Sequence, residues 1–457
     1  MAQWKNIPIY SGASPEKVAA DLKPLVNFQD QGLSLKNLHQ LVEERLLPHL
    51  MRYDHPGFQS LFNAFPEEGA EWGGKIELSY NQGVTNWQVS PGGAVLEELC
   101  CQALCRLFGL SSTSDATFMY SGTYANQEAL YLALHHKAEQ EGFDFSKKGL
   151  PGFKNPERLA VLTSKDAHFS IKHAVRILGL GEQNLIPVEV DKNHSLDLEA
   201  FRKTLHELRE KKEIFCVVLT AGTTSTGAVD PIWPAAQICR DSGTWLHVDG
   251  AYGLAYTLVP EWSSLFKGIE KADSLTWDPH KQLSIPIPNS LLFVRRKENF
   301  HRLSITSDYF NPRGSIQPNP GLKSPPSTRP FSALPLVTSL RYLGLDKLRE
   351  RLRSPLQAVQ KTAEKLKPMK DIEVAHQPQT GILCFRVKPE GFPESHLDSL
   401  QKHIYEIILS EGKRTISVAQ LDHRRVLRLV TVSPSVTSQD LLETVDWARA
   451  IARNFNP

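Results

Sequence analysis

Nowhere in the 457 residues do eighteen apolar residues follow one another, and the opening MAQWKNIPIYSG lacks a basic start followed by an apolar run. Neither a membrane span nor a secretory leader is expected, which makes a cytoplasmic protein the reading. Charge of one sign is lacking too. With 52 Lys plus Arg against 50 Asp plus Glu the formal net charge is +2, so there is no electrostatic argument for nucleic acid or an anionic membrane, and small anionic ligands are left to local sites. The six cysteines, at 100, 101, 105, 216, 239 and 384, form no Cys-x-x-Cys pair and have no histidine at zinc spacing. Buried reduced thiols are expected, and no metal. Internal repeats and low-complexity tracts are also missing.

What is present is enough chain for two or three domains with a substantial core. Ser14-Pro15 suits a helix start, and Leu35, Leu38, Val42, Arg45 and Leu46 trace a helical stripe that needs a partner surface. "AVLEELCCQALCRLFGL" reads as a helix stopped at Gly109. Short apolar, β-branched runs then recur at 116–120, 159–164, 185–190, 215–220, 244–249, 274–278 and 290–296, mostly with helix-length segments between them. That alternation predicts an α/β domain with a mostly parallel seven-stranded sheet covered on both faces. Phe310 to Pro330 holds six prolines and no period; it suits a domain linker or a lid equally. Helical segments near 333–343 and on to about 366, then strand-like 380–387 and 426–432, predict a small α+β C-terminal domain. The expected division is an N-terminal helical segment at 1–91, a large domain at 92–330 and a small one at 331–457.

Three stretches carry candidate chemistry. In "FMYSGTYANQEALYLALHHK" a strand runs through Ser121-Gly122-Thr123 into a helix. Free amides and the positive end of the helix dipole suit a phosphate there, although a plain N-cap would look the same. In "TWLHVDGAYG" Asp249 ends an apolar strand beside small residues. It is either an N-cap or a carboxylate for a protonated ring nitrogen, with room for a flat ring. In "TWDPHKQLSIPIPNS" Lys281 stands among apolar residues and three prolines, surroundings that favour a neutral amine able to attack a carbonyl. A phosphate cradle, a pyridinium partner and a lysine for an aldehyde are the three handles of pyridoxal 5′-phosphate.

The motifs "HVDGAYG", "TWDPHK", "TAGTTSTGAVDPI" and "SKDAHFSIKHA", with "HPGF" near the start and "VLRLVTVSPSVT" near the end, resemble the group II pyridoxal-phosphate-dependent amino-acid decarboxylases. These include the glutamate, cysteine-sulfinate, aromatic-amino-acid and diaminobutyrate enzymes. The resemblance implies the fold type I, transferase-like architecture and an L-amino-acid α-decarboxylase that releases CO2 to leave the amine. It implies that Lys281 is the lysine bonded to the cofactor and that Asp249 pairs with the pyridine nitrogen. His168 then stacks on one ring face with Ala251 against the other. Ser121, Gly122 and Thr123 form the phosphate turn, His280 helps hold phosphate or substrate, and Thr220 lies near the cofactor. Asn81 and Arg428 fall on the substrate side, and a homodimer is implied with its active sites at the subunit interface. Read alone, His168 would suit a core position and Arg428 a surface ion pair.

Two departures stand out. Asp278 replaces the family's usual asparagine before Pro-His-Lys, and no phosphate contact is assigned to it. The segment from Phe310 to Thr328 contains no tyrosine, with Tyr309 just outside, whereas many relatives use a lid tyrosine as proton donor. Decarboxylation coupled to oxidation, giving an aldehyde, and a catalytically silent scaffold are therefore the alternatives.

Overall fold

The computed structural model describes residues 8–306 and 317–455. Among these the chain forms two compact units, one made of 66–353 with Pro378–Thr380, the other of 8–65, 354–377 and 381–455.

The first unit is built on seven strands: β1 (Asp115–Met119), β2 (Leu159–Ser164), β3 (Leu185–Val188), β4 (Glu213–Thr220), β5 (Trp245–Asp249), β6 (Ser274–Trp277) and β7 (Ser290–Val294), in the order β1-β7-β6-β5-β4-β2-β3. Neighbours from β6 to β3 run parallel, and β7 is antiparallel to both β1 and β6. β1 therefore points the same way as β6, and six of the seven strands end on one edge. Every residue of β1, β2, β5, β6 and β7 is buried. That is why these strands read as continuous apolar runs rather than alternating ones.

The helix Gly122–Gln140 lies deep in this unit, with Ala125, Ala129, Leu130, Leu132, Ala133 and Leu134 all fully buried. Its many alanines let it sit close to the sheet while leucines fill the core shared with Val161, Val218 and Leu292. Each such leucine contributes roughly 1.5–3 kcal/mol of transfer free energy. Helix Pro91–Leu107 starts at a proline, buries Cys100, Cys101 and Cys105, and is followed by Gly109 at φ +67°. Residues 333–366 are helical on either side of Gly344, which breaks the helix at φ +65°.

In the second unit β8 (Ile372–Val374), β9 (Ile382–Val387), β10 (Ser417–Leu421) and β11 (Arg424–Val430) form an antiparallel sheet in the order β10-β11-β9-β8. Helices Glu394–Ser410 and Ser438–Ala452 share a core with it, through Leu397, Ile404, Leu441 and Val445 against Leu383, Phe385 and Leu427. Thr437 and Asp440 close a reciprocal capping box at the start of the last helix. The three-residue β8 and the five-residue β10, which buries only Leu421, carry too little apolar pattern to be read from sequence. Near the N-terminus, Pro15–Leu22 and Leu35–Arg45 are helices capped by Ser14 and Ser34, and neither has a buried residue.

Candidate active site

The carboxyl ends of the parallel strands collect most of the predicted residues, but not Asn81 or Arg428. Thr220 and Asp249 are paired neighbours at the ends of β4 and β5, and Asp249 pairs with Thr276 one residue before β6 ends. Past β6 the chain turns through Asp278 and His280 to Lys281, past β1 it enters the Ser121 turn, and past β2 it reaches His168. Open α/β sheets bind ligands at such an edge, where loops leave the strands and helices begin.

Asp249 is 6% exposed. One carboxylate oxygen accepts from the Ala251 amide at 3.1 Å and the other from Asn126 Nδ2 at 2.8 Å. Asn126, in the second turn of helix Gly122–Gln140, is itself buried. Its Nδ2 also donates to Ser170 Oγ at 2.9 Å, and its Oδ1 accepts from His247 Nε2 at 3.0 Å. The other ring nitrogen of His247 meets Ser274 Oγ at 2.8 Å, and that oxygen accepts from Trp245 Nε1 at 2.9 Å. Burial lowers His247 to about 4, against the opposing pull of Asp249. None of Asn126, His247, Ser170 or Ser274 is apparent as a site residue in the sequence, because each looks like an ordinary polar residue in an apolar strand or helix.

Lys281 is half-buried beside Leu283 and Ile285, which are both buried as its sequence context implies. The amine itself meets a carboxylate: Nζ lies 3.0 Å from Asp278 Oδ2. Asp278 does not turn away from the helix start. A Cβ added at Gly122 would come 2.7 and 2.8 Å from its two oxygens, so glycine is required there for close approach. The Asp278 Oδ1 atom is buried without a partner among the described residues. His280 Nδ1 lies 2.6 Å from the Asn289 carbonyl oxygen and 3.3 Å from the Asn289 amide nitrogen, and Nε2 lies 3.8 Å from Asp278 Oδ2. Burial keeps His280 below the usual histidine range.

Ser121 caps helix Gly122–Gln140, its Oγ accepting from the Tyr124 amide at 3.1 Å. The cap and a phosphate cradle are compatible, since the other first-turn amides have no carbonyl of their own helix to bond. Thr123 is half-buried beside them. His168 caps the helix Phe169–Ile177, and its Nδ1 accepts from the Ser170 amide at 3.2 Å. Its ring is therefore neutral with the proton on Nε2. Burial, reinforced by the Lys281 charge and opposed by Asp249 and Asp278, holds it below the ordinary histidine value. Asp230 accepts from the Thr220 amide at 2.7 Å and the Leu196 amide at 2.8 Å, and burial pushes it up to about 7. It fixes the backbone at Thr220, whose own Oγ1 is buried with no partner among the described residues. Ala251 is 8% exposed, and a Cβ at Gly253 would strike the Ala221 carbonyl oxygen at 2.1 Å.

A buried hydroxyl without a partner, a lysine beside a capped helix start and, at Asp249, a carboxylate with lone pairs to spare fit a phosphorylated, aldehyde-bearing pyridine, whereas the Asp278 carboxylate facing Gly122 works against a phosphate at that turn. Asn81 is exposed at the end of helix Glu68–Tyr80, in the left-handed region at φ +44°. Val84, Thr85 and Trp87, a few residues on, bond the backbone of Arg329, Ser327, Gly321 and Pro318. Arg329 is buried against Glu97, and Lys323 pairs with Glu98 and Asp115. Arg428 belongs to the second unit, on β11 opposite Ser417. It is 4% exposed, donates to the Ser60 carbonyl and Ser417 Oγ at 3.0 and 2.8 Å, and lies over the Phe62 ring. Tyr309, and the proline-rich segment from Phe310 as far as 316, lie outside the described residues.

The conserved domain of pyridoxal-dependent decarboxylases matches residues 15–388. The chain belongs to this family. Among the relatives of this decarboxylase is the L-2,4-diaminobutyrate decarboxylase of Acinetobacter baumannii, 27% identical over 451 residues that cover 96% of this chain and 88% of the relative. The aromatic-L-amino-acid decarboxylase of Bacillus atrophaeus is 26% identical, covering 94% and 88%. Among solved structures, the glutamate decarboxylase domain of a Vibrio parahaemolyticus diaminobutyrate-pyruvate transaminase and L-2,4-diaminobutyrate decarboxylase superposes with a TM-score of 0.88 at 25% identity, covering 98% and 91% of the two chains. The protein is a pyridoxal-phosphate-dependent amino-acid decarboxylase, a carboxy-lyase of the fold that its sequence motifs imply. The aldehyde-forming and silent-scaffold alternatives receive no support from these matches. No helix among the described residues is long and apolar enough to cross a membrane.

Proposed function

We propose that the decarboxylase works at the carboxyl edge of its seven-stranded sheet, with Lys281 as the lysine that holds the cofactor and Asp249 as the partner of the ring nitrogen. The reading rests on one observation: Lys281, Asp249, His168 and the Ser121 turn, far apart in sequence, leave neighbouring elements at a single edge. The bound cofactor supplies an electron sink for the pair left on the substrate α-carbon when CO2 departs. Asp249 keeps a proton at the ring nitrogen, without which that sink is shallow. The first-turn amides after Ser121, with Gly122, Thr123 and His280, hold the phosphate. His168 would cover one ring face, neutral and so without repelling a protonated ring, while Ala251 would leave room on the other. Thr220 offers its unspent hydroxyl to the cofactor, and Asn81 lies on the substrate side. Lys281 Nζ, 3.0 Å from Asp278 Oδ2, would hold the cofactor through its aldehyde and, when not so bonded, would be the amine available to move a proton.

The substrate is an L-amino acid, and relatives named for diaminobutyrate, aromatic and acidic amino acids define the panel. Wild-type protein loaded with cofactor is expected to release CO2 and the matching amine in equal amounts from one of these classes. Lys281→Ala should release none. Retention of cofactor with no CO2 from any member would contradict the reading.

A homodimer in the cytoplasm completes the proposal. Phe28, Leu35 and Leu38 are 90%, 78% and 40% exposed, on and beside helices that bury nothing within the chain, and such surfaces are normally covered. All six cysteines are buried and none is joined in a disulfide, as suits a reducing compartment. Sedimentation should give twice the chain mass; an active monomer would refute the dimer.

A further inference from the structure

The polar chain behind Asp249 has a direction. Trp245 Nε1 can only donate, so Ser274 Oγ accepts from it at 2.9 Å and turns its own proton to His247 Nδ1 at 2.8 Å. His247 then carries its proton on Nε2 and gives it to Asn126 Oδ1 at 3.0 Å, where Thr276 Oγ1 stands farther off at 3.5 Å. Asn126 Nδ2 in turn donates to Asp249 Oδ2 at 2.8 Å. Each group in this series gives its hydrogen toward the carboxylate, and each of Trp245, Ser274, His247 and Asn126 is at most 2% exposed. Shielded from water, donors aligned in series polarise one another.

Asn126 also joins three elements that carry separate parts of the site. It sits on the helix capped by Ser121, bonds the aspartate that ends β5, and spends its second amide hydrogen on Ser170, two residues after His168. A single buried amide therefore fixes the carboxylate relative to both the phosphate turn and the stacking histidine.

From this we infer that Asn126 and His247 are positioning residues for the decarboxylation. By aiming a polarised series of donors at one Asp249 oxygen, they fix the orientation in which the carboxylate holds the ring-nitrogen proton. The inference rests on the reading of Asp249 as the partner of that nitrogen. Neither residue touches substrate or the reacting carbon, so removing them should loosen the proton at the ring nitrogen rather than abolish cofactor attachment to Lys281.

The test uses pyridoxal phosphate labelled with nitrogen-15 in the ring, bound at saturation to full-length protein, with the ring-nitrogen resonance followed from roughly pH 6 to 10. In wild type the signal stays at its protonated position. Asn126→Leu removes the donor while keeping the side chain's branching and is expected to bring deprotonation into that window, a weakening of the proton's hold by about tenfold or more. His247→Leu should shift the signal the same way by less. His247→Gln, which keeps an N–H at the Nε2 position, should restore wild-type behaviour. Asn126→Leu that binds cofactor and titrates like wild type would overturn the inference. If that variant does not fold, equal behaviour of His247→Leu and His247→Gln would overturn it instead. Asp249→Asn separates the two levels: if it also leaves the resonance unmoved, the reading of Asp249 itself has failed. If it moves the resonance while Asn126→Leu does not, only the positioning inference falls.

Discussion

Replacing Arg329 with methionine is expected to destabilise the first unit by about 3–5 kcal/mol at neutral pH, the range for stripping one partner from a buried ion pair. The structure gives the terms. Glu97 is 2% exposed and Arg329 3% exposed, and burial already pushes the Glu97 carboxyl above the ordinary range despite Arg329 beside it. Without the guanidinium the carboxyl takes up a proton rather than stand as a bare buried anion. Holding it protonated at pH 7 when it ionises near 4.3 in the unfolded chain costs up to about 3.7 kcal/mol. The carbonyls of Val84 and Phe118, which accept from Arg329 at 3.1 and 3.3 Å, each lose a hydrogen bond worth about 1 kcal/mol. The sign with pH follows. A carboxyl whose folded pKa is raised contributes stability that is complete below its unfolded value and lost as pH rises through the folded one. The deficit of Arg329→Met should therefore shrink as pH falls from about 7 to 5, and the double variant Glu97→Gln with Arg329→Met should lack that dependence. Urea unfolding of the four proteins at pH 5, 6 and 7, read by tryptophan fluorescence, supplies the double-mutant cycle. A coupling within about 0.5 kcal/mol of zero, or a deficit that grows toward acid, would show that Arg329 does not hold the Glu97 charge.

Other outcomes follow from single contacts. Gly122→Ala would drive a methyl group into Asp278 at 2.7 Å and should weaken cofactor binding by about tenfold or more while moving the thermal midpoint by only a few degrees; fluorescence titration with the cofactor checks it, and unchanged affinity would contradict the close approach. Burial lowers His247 from 6.5 to about 4, so its contribution is present above pH 6.5 and is lost as pH falls toward 4, up to about 3 kcal/mol. His247→Gln should flatten that acid limb in urea titrations, and an unchanged limb would count against a neutral buried ring. Gly253→Ala, with its Cβ 2.1 Å from the Ala221 carbonyl oxygen, should cost well over 2 kcal/mol in the same titrations, enough to prevent soluble expression if the loop cannot shift.

The sheet was legible because each of its seven strands is an apolar run bounded by polar turns, and the structure moves their ends by no more than two residues. The Gly344 break in 333–366 left a readable gap between two helical patterns. β8 and β10 were not legible, since three residues make no period and β10 buries only Leu421. At the site, Lys281, Asp249 and the Ser121 turn announced themselves by chemistry out of place among apolar neighbours. Asn126 and His247 did not, because a lone amide on a helix and a lone histidine in a strand acquire meaning only through partners 121 and 123 residues away. Asp278 shows the reverse case. Its departure from the family pattern was visible, but that its carboxylate faces Gly122 and pairs with Lys281 depends on how the turn after β6 folds.

Lys281, and no other of the chain's lysines, is expected to carry the cofactor. The direct measurement is borohydride reduction of the cofactor-loaded protein followed by proteolysis and mass mapping of the phosphopyridoxyl group. The label is expected on the peptide containing Pro279-His280-Lys281, with the absorption band lost on reduction and never seen in Lys281→Ala. A label on another lysine, or a band that survives in Lys281→Ala, would contradict that assignment.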